Sequence, residues 1–192
     1  MSAPVLVRDC DGCTLCCKVM GIEELGKPTN TWCGHCLKGK GCGFYEHRPT
    51  SCREFNCVYL TNPNLGPEWR PADAKFVIRH EGGGGGRIAI HVDTQRPDAW
   101  RREPFLSTFH AWAEVGARHM GQVVVYVGRH VHVIVPDRVV DLGEIAPDEL
   151  ILTTMIQTPQ GVRLEPFKAG PGDPRYAEFL AAQGKPRAGF GP

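Results

Sequence analysis

The chain has no long hydrophobic run. Its apolar stretches fall far short of the roughly 20 residues that cross a bilayer as a helix, so no membrane span is expected. The N-terminus, MSAPVLVRDCDG, lacks the basic and apolar regions of a secretory signal, and the expected compartment is cytoplasmic. There is almost no excess of charge of either sign: 22 Lys and Arg oppose 21 Asp and Glu, a net of +1. That disfavours a strongly basic nucleic-acid binder. The patterns G-x-S-x-G, H-E-x-x-H and G-x-G-x-x-G are missing, which removes support for ordinary hydrolases and dinucleotide enzymes. Beyond Cys57 there is no cysteine at all.

What is present fits a globular chain. The 192 residues, 42% hydrophobic and 22% charged, suit one domain or a small module joined to one. All nine cysteines fall between Cys10 and Cys57. A disulfide framework suits small secreted proteins. Here the count is odd, Cys16 and Cys17 are adjacent, and no export signal precedes them. Thiolate coordination of a metal is the better reading.

Charge arithmetic supports it. Residues 1–60 carry seven Lys and Arg and six Asp and Glu, a net of +1. Eight ionised thiolates would bring about −7, and two Zn²⁺ would return the segment to about −3. A segment this short buries little apolar surface and commonly needs a metal or disulfides to fold.

The spacing is Cys10-x2-Cys13-x2-Cys16-Cys17, then Cys33-x2-Cys36, Cys42, and Cys52-x4-Cys57. A C-x2-C pair lets two sulfurs of one tight turn reach the same metal, and remote pairs can close a zinc tetrahedron. The run C-x2-C-x2-C equally resembles the start of an iron–sulfur ligand set. Both readings stay open.

These residues resemble a known family, the YkgJ-like CxxCxxCC cysteine-cluster proteins, a zinc- or iron-chelating domain. The resemblance lies in CDGCTLCC (10–17), Cys33-Gly-His35 and CGFYEHRPTSCREFNC (42–57), about 50 of the 192 residues. It implies eight metal ligands: Cys10, Cys13, Cys16, Cys17, Cys33, Cys42, Cys52 and Cys57. Cys36 departs from that set, as a substitute, a ninth thiolate or a bystander. The implied cofactor is zinc or iron, as ions or an iron–sulfur cluster, with metal ions as the partners and any protein partner unspecified. The CxxCxxCC run is also similar to that of flagellin lysine N-methylases, although no methyl-donor segment is evident. The alternatives to simple metal chelation are therefore a redox or metal-delivery protein and, behind it, a metalloenzyme.

Adjacent Cys16 and Cys17 point differently in most backbones, and are expected to serve different metals or opposite sides of one cluster. Arg48 and Arg53 flank Cys52 and either offset thiolate charge or pair with Glu46 and Glu54. Tyr45 and Phe55 are expected to pack the small core. His35 and His47 are further possible zinc ligands.

Local patterns complete the outline. Thr14–Met20 suits a helical turn, Val5–Val7 a short strand, and Pro49 the start of a short helix. Lys75–His80, Arg87–Val92, Gln122–Val127, His130–Val135, Arg138–Leu142, Leu150–Gln157 and Gly161–Phe167 read as strands. Phe105–Met120 reads as the main helix, and Arg175–Ala182 as a short one. Gly82–Gly86 suits a hairpin tip rather than a phosphate loop, because a strand follows it. Gly128-Arg129 suits a tight hairpin. Asp93 and Arg96 are candidates to line a pocket. His130 and His132 alternate with valines and share a strand face; with His91 or His119 they would make a second metal site.

The expected fold is α+β: a small irregular metal-stabilised cysteine module, then a mostly antiparallel sheet with one main helix. The divisions are a cysteine module 1–60, a linker 61–74, an α+β region 75–168 and a Gly/Pro-rich tail 169–192.

Overall fold

The computed structural model describes residues 6–81, 86–119, 121–159 and 161–183. The expected glycine tip at 82–86 lies outside them except for Gly86, as do Val5, Met120 and the tail beyond Gln183. Two compact units divide the chain, residues 1–141 and 142–192.

The first unit opens with short elements. Helix α1 is Cys16–Val19, strands β1 and β2 are Cys36–Leu37 and Gly41–Cys42, and helices α2, α3 and α4 are Thr50–Glu54, Val58–Thr61 and Pro71–Ala74. None is long enough to be stable alone. Leu6 and Val7 form no strand and are exposed, since the nearest bond, Val7 N–H to Leu60 carbonyl at 2.9 Å, is isolated.

The β-branched runs then build a five-stranded sheet. Its strands are β3 (Phe76–Glu81), β4 (Arg87–Val92), β5 (Gln122–Val127), β6 (His130–Val135) and β7 (Arg138–Glu144), in that spatial order. Pairs β3–β4 and β5–β6 are antiparallel, with Ile78 opposite Ile90 and Val125 opposite His132. Pair β4–β5 is parallel. A parallel pair needs a long crossover, and the main helix α5 (Phe105–Ala117) lies within it. The architecture is α+β, mostly antiparallel, with one main helix.

Alternation sends side chains to two faces. Phe76, Ile78, Ile90, Val92, Val123, Val125 and Ile134 form a buried core with Phe105, Phe109 and Ala113, one face of α5 at four-residue spacing. Trp69 meets Phe76, Phe105 and Phe109 edge-on, at 6.2, 4.8 and 5.7 Å, a favoured aromatic geometry. Val77, on the opposite face of β3, packs with Leu15, Val19, Cys57 and Leu60. The cysteine-rich segment therefore sits on the side of the sheet away from α5.

Residues 61–74 are packed. Leu65, Trp69 and Ala74 enter the main core, so the prolines shape short turns rather than a free tether. Arg8 pins this stretch through the carbonyls of Tyr59, Asn62 and Leu65 at 2.6–2.7 Å.

The second unit contains the antiparallel pair β8 (Leu150–Thr158) and β9 (Gly161–Ala169), with helix α6 (Pro174–Gln183). Ile151 and Ala169 are buried, and Arg175 lies over the Phe167 ring at 3.8 Å. Among the described residues no helix is long and apolar enough to cross a membrane.

Candidate metal centre

Four chain segments surround one cavity of about 420 Å³, and Cys10, Cys13, Cys16, Cys17, Cys33, Cys42 and Cys52 all line it. The nine cysteines are free thiols.

The first segment is a tight turn. Cys13 N–H bonds the Cys10 carbonyl at 2.7 Å. Asp11 and Gly12 between them have φ of 41° and 69°, the left-handed pair that such a turn demands. Gly12 also lies close under Gly39: a Cβ there would stand 2.6 Å from the Gly39 carbonyl oxygen. The adjacent Thr14 hydroxyl, buried, accepts the Gly39 N–H at 3.2 Å. These contacts clamp the CxxC turn to the second segment.

That second segment is the hairpin of β1 and β2, where Cys36 faces Cys42 in register. It is fastened to α1 by Cys33 N–H donating to the Cys17 carbonyl at 2.9 Å. Helix α1 itself carries Cys16 and Cys17 on its first turn. The last segment is α2, whose Ser51 donates N–H and hydroxyl bonds to the Glu24 carboxylate at 3.0 and 2.8 Å. Those bonds hold the Glu24 carboxyl below its ordinary range and place Cys52 beside the cavity.

The thiols oppose one another's ionisation. Hydrogen bonding with Cys16, then burial and charge at Cys16, push Cys17 far above the ordinary thiol range. Burial and charge at Cys17 push Cys36 up to about 11. Burial pushes Cys57 up to about 11, with Cys10 and Cys13 adding to it. Partial loss of solvation at the cavity rim, then charge at Cys13, also raises Cys10, and burial raises Cys52. A cation in the cavity reverses this balance, because coordination deprotonates a thiol outright. The donor set therefore fits a metal, and soft thiolates suit zinc or iron–sulfur.

Cationic side chains of the protein surround the thiols: Lys40, Arg48 and Arg79 line the cavity, and Lys27 lies near it. Lys27 is buried, donating to the carbonyls of Lys18, Met20 and Pro28. Burial lowers its pKa, while the charges of Cys33, Cys17, Cys52 and Cys16 act the other way. Arg48 lines the cavity, lies over the Tyr45 ring at 3.6 Å, and its charge partly opposes the rise at Cys10. Arg53 turns away to the Thr50 hydroxyl at 3.4 Å.

Of the eight residues implied by the resemblance, seven meet at the cavity. Cys57 lies behind them, 8% exposed, in the apolar cluster with Leu15, Val19 and Val77. Cys13 and Cys16 pack against that cluster too, which brings Cys57 under the wall. Cys36 interacts with the Cys17 and Thr14 side chains. Phe55 packs inside, but Tyr45 is 58% exposed because Arg48 covers its ring instead of the core. His35 borders the cavity and stacks on Phe44 at 4.6 Å, while His47 tilts against the same ring at 5.4 Å. Asp93 does not line this cavity: it is buried and bound to the Lys18 ammonium at 2.7 and 2.8 Å. Lys27 and Thr14 were invisible in the sequence pattern, since a lysine and a threonine carry no spacing signal.

The chain matches no protein-family model, no curated protein and no solved structure.

Proposed function

We propose that the protein binds metal through the cysteine-lined cavity, as a zinc–thiolate or iron–sulfur centre. The observation that carries this reading is the convergence of seven cysteines from four segments on a single cavity of about 420 Å³. One tetrahedral zinc takes four thiolates; the seven cysteines at the cavity exceed that number, which favours a centre of several metal atoms over a single ion. Bound metal would supply the positive charge that lets the clustered thiols ionise.

The chain's own residues do the rest. The Cys10–Cys13 turn and α1 present sulfurs from one side, and the β1–β2 hairpin and α2 from the other. Lys27 and Arg48 offset residual negative charge. Val19, Leu60 and Val77 seal the sheet side against water. In this reading the metal closes the cysteine segment onto the sheet.

A redox or metal-delivery role is the second reading. It is favoured by the exposed Cys10 and by exposed apolar side chains at the cavity, Leu25, Phe44 and Tyr45, which would suit a transient protein contact.

The test is metal and acid-labile sulfide analysis with an absorption spectrum, on anaerobically purified protein. Zinc without colour identifies a thiolate zinc centre. Iron, sulfide and a broad visible band identify an iron–sulfur centre. Protein that purifies without metal and takes up neither zinc nor iron overturns the proposal.

A further inference from the structure

We propose that His130, His132 and Asp141 form a second binding site, for a single divalent transition-metal ion such as Zn²⁺, separate from the cysteine cavity. One donor atom from each of the three lies within 4.8 Å of the other two. His130 and His132 share a face of β6 through their two-residue spacing, and Asp141 comes from the neighbouring strand β7. His130 Nε2 stands 2.6 Å and His132 Nδ1 3.8 Å from the same carboxylate oxygen, Asp141 Oδ1. The two imidazole rings are 4.8 Å apart.

A surface ion pair would account for His130 and Asp141. It does not account for His132. That side chain is 10% exposed, and its Nδ1 is buried without a hydrogen-bond partner. Buried polar atoms are nearly always satisfied, and 3.8 Å is beyond hydrogen-bond length. An ion between the three groups satisfies the orphan nitrogen and draws the donors into coordination distance, about 2.0–2.2 Å.

The surroundings make the arrangement rigid on one side and open on the other. Trp100, fully buried, packs against the His132 ring at 5.2 Å. Arg101 lies over the Trp100 ring at 4.1 Å and is 3.4 Å from Asp98. His130 and Asp141 are 42% and 59% exposed. Two imidazoles and one carboxylate are the ligands of zinc and non-haem ferrous sites that leave coordination positions for water or substrate. Neither His91 nor His119 joins the group; His91 instead stacks on Tyr126 at 5.0 Å and faces Glu81 at 3.5 Å.

The experiment is a Zn²⁺ titration of the full-length protein, as purified, read from the imidazole nitrogen resonances of ¹⁵N-labelled histidines. The reporter is histidine itself, so metal taken up by thiols is not counted. Saturable one-to-one shifts at His130 and His132 are expected. His130→Gln and Asp141→Asn, both at exposed positions, should each weaken binding by at least about tenfold, the factor that loss of even a supporting group produces. Co²⁺ should show the same loss, with its thiolate charge-transfer bands, if present, unchanged in both variants. Unshifted His130 and His132 resonances overturn the proposal, as does equal affinity in the variants. Failure of the cysteine reading would show separately, as missing thiolate bands with the imidazole shifts intact.

Discussion

At Gly12 two demands meet, a left-handed φ of 69° and a carbonyl oxygen where a Cβ would go. Gly12→Ala should destabilise the cysteine segment by about 1–3 kcal/mol from backbone strain, with the contact to Gly39 adding to it. Chemical denaturation of the metal-free protein measures this; an unchanged midpoint would show that the turn is not clamped. Glu81 makes a different prediction. The His91 imidazole, with Arg79 and Arg87, holds its carboxyl below the ordinary value of 4.5 despite its burial. Its stabilising contribution is present above about pH 4.5 and is lost as pH falls through the lower folded-state value. Glu81→Gln should therefore cost stability at neutral pH and narrow its deficit on acidification. Parallel stability curves for the two proteins would contradict that assignment.

Among the elements, α1 depends on distant support. It has four residues, and its Lys18 ammonium is bound by Asp93 just beyond β4 and by Gln95 at 2.7 Å. Both charged side chains are less than 10% exposed. Removing one partner strands the other charge in the interior, so Asp93→Asn should cost about 3–5 kcal/mol. Replacing both residues, as Lys18→Met with Asp93→Leu, should recover much of that loss. Thermal unfolding of the single and double variants checks it; a double variant as unstable as the single would show that packing, not stranded charge, sets the cost. The turn of the β5–β6 hairpin is locally determined by contrast, with Gly128 at φ 63°, although its strands still pack on β4 and the main core.

For the molecule as a whole, the two faces of the sheet have different dependencies. The α5 face holds a large aromatic and aliphatic core. The other face carries the small cluster behind the thiols. If the cavity holds metal, chelation should strip amide protection from residues 10–57 while β3–β6 remain protected, as hydrogen exchange would show. Metal removal that leaves protection unchanged everywhere would refute a structural role for the centre.

Strands β3 to β6 and the start of α5 were legible in the sequence, because period-two valines and isoleucines and a four-residue aromatic spacing are local signals. The main helix stops at Ala117, short of the pattern's end at Met120. Residues 61–74 misled because prolines advertise a linker, while burial of Trp69 is decided by partners 7 to 43 residues further on. The cysteine pairs at metal-ligand spacing were legible in the sequence, and the family resemblance implied which eight would serve. Their gathering was not: it requires a hairpin, two short helices and a glycine turn to meet on one sheet face. His130 and His132 could be read as a pair, but Asp141 could not be chosen over His91 or His119. Strand neighbours bring those donors together, and neighbourhood in a sheet is a property of the tertiary fold. Short-range periodicity and residue type thus set most strands, the main helix and the available donor chemistry. Which donors share a site follows from packing, because it makes neighbours of residues far apart in the chain.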